Sequence, residues 1–429
     1  MDPVLLIGLR KQQEQAWEVE EHLDELQMLA YNIDLNGNFR LIQQRDKPHN
    51  ATFVGSGMVE KIQQYVVNES LKAVIFDDEL SPAQQRNLEK ALSVPVYDRP
   101  FVILSIFSER AKTKEAKTQV ELARMKYEYP RLKKMWTHLH RQAGHIGGRG
   151  GEGEKQLEID RRMARKKMGR LEKELKRFET RRKTRKKQRK NLLNIALVGY
   201  TNAGKSSLMN QLTKAHVEAD DRLFVTLDAT SRIWNVDPIL KTVLSDTVGF
   251  IRKLPHNLVA SFKSTLTEVS DADLLFHVID ASHPHLEELR ETVDGVIESL
   301  IDEHIPTVLI FNKIDKLSDF DLKSLKRVFP DGLFVSATMK TGTEKLREYV
   351  LNHFAEKIET RTFLLPARAL GRFYHINDFG QVLHTHHENE GMFLELRALK
   401  ERFPALMREI PDLIEIDPAD YRAKINEAN

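Results

Sequence analysis

Gly199-Tyr200-Thr201-Asn202-Ala203-Gly204-Lys205-Ser206 sets two glycines, a lysine and a hydroxyl at the spacing of a phosphate-binding loop. The glycines let backbone N–H groups curl around phosphate oxygens. Lys205 has the reach for β and γ phosphates, and Ser206 offers a hard oxygen to Mg²⁺. The loop follows Leu193-Asn194-Ile195-Ala196-Leu197-Val198, an apolar run with strand character. It leads into Ser207-Leu208-Met209-Asn210-Gln211-Leu212, which reads as a helix whose positive dipole end would meet the phosphates. Alone, this spells only nucleotide phosphate.

Three later motifs choose the nucleotide. Asp246-Thr247-Val248-Gly249 begins 47 residues after Gly199, behind Thr242-Val243-Leu244. There Asp246 is suited to hold Mg²⁺ through a water, and the Gly249 N–H to sense the γ-phosphate. Asn312-Lys313-Ile314-Asp315 follows the strand-like Thr307–Phe311, and Asp315 can accept from the N1–H and exocyclic amine of guanine. Adenine lacks the first donor, so a buried carboxylate left unpaired rejects ATP. Ser336-Ala337-Thr338, after Leu333-Phe334-Val335, completes the base pocket. Four motifs in this order, each at a strand end where α/β sheets bind ligands, point to GTP and GDP.

Catalysis would rest on Lys205, Gly249 and a switch threonine that completes Mg²⁺ coordination. Thr226, in Phe224-Val225-Thr226-Leu227, is the candidate; Thr230 competes, and the sequence does not separate them. Phe250 stands where Ras-like GTPases carry a glutamine that orients the attacking water. Phenylalanine cannot do this, so hydrolysis is expected to be slow alone and stimulated by a partner. Asn202 has two readings, a hydrogen bond that shapes the loop or, by resemblance to GTPases with asparagine here, a ligand for K⁺ beside the phosphates.

Around the site, the alternation of apolar runs and helical patterns predicts an α/β multidomain chain. Residues 1–100 read as a small α/β unit with a largely parallel sheet, including strands at Val4–Gly8, Ala51–Val54, Ala73–Phe76 and Val94–Tyr97. Gly55-Ser56-Gly57 reads as a tight turn into a helix. Residues 101–190 form a long antiparallel helical hairpin. Its first helix carries Ala116, Val120, Ala123 and Tyr127 on one face and is interrupted near Pro130; its second carries Leu157, Ala164, Met168, Leu171, Leu175 and Phe178. The glycine-rich stretch 144–153 joins them as a loop. Residues 191–358 form a Ras-like doubly wound G domain, and 361–429 a small α+β tail with a hairpin at Gln381–His387 and Gly391–Leu396. The histidines His384, His386 and His387 fit alternation along an exposed strand better than a metal site.

Charge is uneven. The net charge is +3, but residues 161–190 hold 17 Lys/Arg against three Glu, or +14, leaving −11 elsewhere. A polyanionic partner for that segment follows. There is no cysteine, which removes disulfides and thiol chemistry. No apolar run approaches the ~18 residues of a membrane span, and Met1-Asp2-Pro3 opens no signal peptide, so a cytoplasmic protein without membrane attachment is expected.

Asp246-Thr247-Val248-Gly249-Phe250-Ile251-Arg252-Lys253-Leu254-Pro255-His256 resembles the switch II signature of HflX-type GTPases. Phe53–Gly57, Ser81–Glu89, Arg110–Glu115 and Gln156–Arg162 resemble that family's N-terminal half, so the likeness spans roughly residues 50–350. The resemblance implies a GTP-hydrolysing factor, monomeric in solution, that binds the large ribosomal subunit. Its hairpin would lie along rRNA, with Arg149 near the loop tip. GTP binding and hydrolysis would be coupled to splitting or recycling of stressed ribosomes; the alternative is an assembly factor that never splits mature ones. The family pattern Arg-Gly-Pro-Gly-Glu reads Arg149-Gly150-Gly151-Glu152 here, and losing the proline loosens the loop.

Overall fold

The computed structural model describes residues 1–142, 152–188, 193–213, 224, 230–253, 267–300 and 304–419. Three sheets follow one another along the chain.

The first is built from β1 (Asp2–Arg10), α1 (Ala16–Tyr31), β2 (Leu35–Gln44), α2 (Ser56–Asn68), β3 (Ala73–Phe76), α3 (Pro82–Leu92), β4 (Val96–Asp98) and α4 (Arg99–Arg110). Strand order is β2-β1-β3-β4, all parallel. β1 runs between two neighbours with Val4 to Leu9 buried throughout, as an unbroken apolar run requires of a strand covered on both faces. α3 starts on a capping box, with Ser81 and Gln84 satisfying each other's backbone N–H and Pro82 in the first turn.

One sequence expectation fails here, and one strand goes unread. Ala51–Val54 is a turn closed by a His49–Phe53 bridge, with Phe53 at φ +64°. The fourth strand is instead β2, whose opening Asn36-Gly37-Asn38 imitates a turn and which is held by pairing with β1.

The hairpin consists of α5 (Lys114–Gln142) and α6 (Glu152–Gln188). α5 runs unbroken through Pro130, against the expected interruption. Its root is fastened to the first sheet: Tyr127 Oη donates to Asp98 Oδ1 (2.7 Å), and Arg131 donates to Asp98 Oδ2 (3.1 Å) and the Leu80 carbonyl (2.8 Å). Ala116, Val120 and Ala123 are buried there as their spacing predicted, and Tyr127 packs against the same cluster. The ion pairs Lys114–Glu174 and Glu121–Lys167 tie the helices antiparallel. Of the loop expected at 144–153, residues 144–151 and Arg149 with them lie outside the described residues, whereas Glu152 and Gly153 already belong to α6.

The central sheet has strands β5 (Leu193–Gly199), β6 (Thr230–Asn235), β7 (Lys241–Asp246), β8 (Leu274–Asp280), β9 (Thr307–Asn312) and β10 (Leu333–Phe334) in the order β10-β9-β8-β5-β7-β6. Only β6 is antiparallel to its neighbour. Helices α7 (Lys205–Thr213), α8 (Leu286–Leu300), α9 (Asp319–Val328) and α10 (Thr343–His353) cover it. The last sheet, β12 (Gln381–Glu388), β13 (Gly391–Leu399), β11 (Ile358–Pro366) and β14 (Ile414–Ile416), is antiparallel, with its own core around Phe363, Leu394 and Phe403. His384 and His387 are exposed on its edge strand β12. Among the described residues no helix is long and apolar enough to cross a membrane.

Candidate functional site

The loop Gly199–Ser206 joins the C-terminal end of central strand β5 to the N-terminus of α7. Its glycines are obligatory. A Cβ on Gly199 (φ +149°) would stand 2.2 Å from the Val278 carbonyl, and one on Gly204 (φ +90°) 2.2 Å from Asn312 Nδ2. Asn312 clamps the site from the base side: Nδ2 donates to the Ala203 carbonyl (2.9 Å), and Oδ1 accepts from the Ala337 N–H (3.0 Å). Phosphate loop and base pocket are thus one hydrogen-bonded unit. Asn202 is exposed at φ +60°, a left-handed conformation that asparagine tolerates better than most residues.

Lys205 is 6% exposed, and its ammonium donates to the carbonyls of Gly199 (3.0 Å) and Tyr200 (2.8 Å). Burial lowers its pKa to about 8, against the opposing pull of nearby Asp246. Above that pH the folded loop holds a neutral amine, while a polyphosphate favours the ammonium. Nucleotide binding should therefore take up a proton there, and affinity should fall about tenfold per pH unit as pH rises beyond 8 and be flat below it. Calorimetry in buffers of different ionisation enthalpy at about pH 7 and pH 9 reads this directly; equal proton uptake at both would contradict it.

Ser206 Oγ donates to the Asp246 carboxylate at the buried end of β7. The two oxygens form the hard, anionic donor set that Mg²⁺ prefers. Thr230 pairs with Asp246 across the β6–β7 ladder, while Val225, Thr226 and Leu227 lie outside the described residues. Thr247 Oγ1 donates to the Leu197 carbonyl (2.7 Å), so it orients the segment from below. The segment then closes on the loop, Phe250 N–H donating to the Gly199 carbonyl (3.1 Å) and Thr201 N–H to the Phe250 carbonyl (2.8 Å). Gly249 is so close that a Cβ would stand 2.8 Å from Thr201 and 3.0 Å from Lys205 Nζ. The Phe250 ring is buried in the core with Ala196, Val198 and Val293.

Asp315 accepts from Ser336 Oγ and is otherwise exposed. Lys313 (φ +64°) is held by Asp280 at 2.7 Å. Ser336 is buried, Ala337 half-buried, and Thr338 exposed at the rim. Phe224, read from the sequence as lining the nucleotide, is buried against Phe107 of α4, with Val248 and Ile251 in the same cluster.

Beside it lies a contact that no local motif announces. Arg99, fully buried, donates to Asp77, to Glu25 (3.1 Å), to the His22 carbonyl (2.7 Å) and to the Arg252 carbonyl (3.3 Å). Lys253 donates to Asp77 and to Asp78 (2.8 Å), and Arg252 to Glu21 (2.8 Å). Tyr200 turns its hydroxyl from the phosphate loop to Glu25 and accepts from the Arg252 N–H (2.7 Å). Burial raises Glu25 above the usual carboxylate range despite Arg99. For Asp77 burial pushes upward too, but Arg99 and Lys253 outweigh it and hold the carboxylate down. The first sheet therefore grips the segment after Gly249 by a buried ionic cluster, and Trp17 stacks on His285 (3.7 Å) beside it.

Comparison with known proteins agrees with this geometry. Residues 20–108 match the family described as GTP-binding GTPase N-terminal, 110–189 its GTP-binding GTPase Middle Region, and 194–313 the 50S ribosome-binding GTPase family. The chain is 39% identical to GTPase HflX of Flavobacterium psychrophilum over 85% of its own length and 94% of the relative's. It is 44% identical to GTPase HflX of Magnetococcus marinus over 76% of each chain. Against GTPase HflX of Escherichia coli it is 42% identical, over 83% of this chain and 85% of that one. With the phosphate loop, acidic strand end and base loop set around one sheet, the chain belongs to the HflX family of GTPases and is a GTP hydrolase.

Proposed function

We propose that the protein works on the ribosome, binding the large subunit through its basic hairpin and coupling GTP binding and hydrolysis to separation of the subunits. The observation that carries this is the exposed basic face of α6. Arg162, Lys166, Arg170, Lys173, Lys176 and Arg177 point to solvent on a helix that leads towards β5 and the phosphate loop. An anionic surface such as rRNA matches the charge of that face. The match of residues 194–313 to the 50S ribosome-binding GTPase family supports the same partner. Pelleting with large subunits across a salt series tests it: log affinity should fall linearly with log salt with a slope near −0.7 to −0.9 per phosphate neutralised. A salt-independent interaction would count against the hairpin.

In this reading guanine is held by Asp315, Asn312, Lys313, Ser336, Ala337 and Thr338, and the phosphates by Gly199 to Ser207. Ser206, Asp246 and a switch threonine, Thr226, hold Mg²⁺, which supplies charge neutralisation at the phosphates when bound. Phe250, turned into the core, leaves the attacking water unpositioned, so turnover alone is slow and the ribosome completes the site. Asn202, at the loop's exposed turn, would share K⁺ with the phosphates. GTP turnover should then be faster in K⁺ than in Na⁺ at equal ionic strength, and equal rates would leave Asn202 only its backbone role.

A further inference from the structure

Asp280 ends β8 directly beside Asn312, the last residue of β9, in the parallel register of the two strands. It lies outside all four nucleotide motifs, yet its two carboxylate oxygens do separate jobs. Oδ1 accepts from the Ser282 N–H (3.0 Å) and from Ser282 Oγ (2.6 Å), which fixes the carboxylate within its own turn. Oδ2 accepts from Lys313 Nζ at 2.7 Å. Burial pushes this carboxyl upward, but the bonds from Lys313 and Ser282 outweigh it and hold it below the usual aspartate range.

Lys313 sits at φ +64°, the left-handed region that residues bearing a β-carbon adopt reluctantly. That conformation turns the chain out of β9 into the short 3₁₀ turn Ile314–Lys316, which carries Asp315. Among the described residues no side chain caps the start of the turn, so the pair with Asp280 is the side-chain hold on the reversal. We propose that Asp280 is a positioning residue for guanine selection: through Lys313 it sets the turn that aims the Asp315 carboxylate at the base. The inference rests on the base pocket proposed above and assigns part of its selectivity to a residue outside it.

Inosine diphosphate lacks guanine's exocyclic amine, so the ratio of GDP to IDP affinity reads how well Asp315 is aimed. One charge-assisted hydrogen bond predicts a ratio of roughly 10- to 100-fold for the unaltered full chain with Mg²⁺, measured by calorimetry. Asp280→Asn keeps the Ser282 bonds to Oδ1 and turns an amide N–H₂ toward the Lys313 ammonium, which breaks the pair with almost no change in volume. The ratio should then fall to about threefold or less, GDP losing more than IDP. A loss of stability alone would weaken both nucleotides alike and leave the ratio unmoved. In an Asp315→Asn background the same change should have no further effect, since the group it positions is gone. Should Asp280→Asn fail to fold by circular dichroism, Ser282→Ala, which frees the carboxylate from its turn, should narrow the ratio at least about twofold. An unchanged ratio in the folded variant would overturn the proposal. Equal binding of GDP and IDP by the unaltered chain would overturn the base pocket itself, and the proposal with it.

Discussion

Asp315→Asn should weaken GTP by roughly two to four orders of magnitude and make the protein bind XTP. In the proposed base pocket guanine's N1–H and exocyclic amine would both donate to this carboxylate, and charge-assisted hydrogen bonds contribute about 1.5–3 kcal/mol each. Two of them lost correspond to about 3–6 kcal/mol, at 1.4 kcal/mol per tenfold in Kd. The asparagine amide instead offers a donor, which xanthine's added carbonyl can accept. Asp315 is exposed and its bond from Ser336 can be kept by the amide oxygen, so the fold should be unaffected. Titration with fluorescent GTP and XTP analogues measures both arms. Unchanged GTP affinity would remove Asp315 from the base pocket.

Arg99→Met should destabilise the first sheet by about 3–5 kcal/mol, the usual cost of stranding one side of a buried ion pair. Asp77, 1% exposed, would keep only Lys253, and Glu25 would keep only its bond from Tyr200. The Arg252 and His22 carbonyls would lose their donor as well. Arg99→Lys should recover little, because one ammonium cannot serve two carboxylates and two carbonyls in the guanidinium's planar fork. Denaturant unfolding followed by circular dichroism reads the loss. A change below about 0.5 kcal/mol, the range of an ordinary surface substitution, would show that the cluster is not held by Arg99.

The frame of the candidate nucleotide site was legible because each of its motifs is a local demand. A glycine is needed where a Cβ meets the Val278 carbonyl, an asparagine where one amide must bond Ala203 and Ala337, and a carboxylate where a strand ends. Such demands are written in consecutive residues. The cluster that grips the segment after Gly249 could not be read the same way, since its members come from α1, β3, α4, the phosphate loop and the switch segment. Asp77-Asp78 and Asp98-Arg99 look like any strand-end charges until the first and central sheets meet. Tertiary context also decided the misread strand, the unread one and the packing of Phe224. β2 is held by its register on β1 despite turn-forming residues, Ala51–Val54 is bent by the His49–Phe53 bridge, and Phe224 is drawn into the apolar cluster of α4. Pro130 was tolerated inside α5, where Arg131 donates to the Tyr127 carbonyl and fastens the helix to Asp98.

Whether the hairpin and the nucleotide site act together on ribosomes is decided most directly by density-gradient sedimentation of intact ribosomes with the protein and either GDP or a non-hydrolysable GTP analogue. With the analogue, intact particles should give way to free small subunits, while the protein travels with the large subunit; with GDP neither should occur. Sedimentation with the large subunit but no loss of intact ribosomes would contradict the splitting role and leave assembly. Failure to travel with any ribosomal particle would contradict the account as a whole.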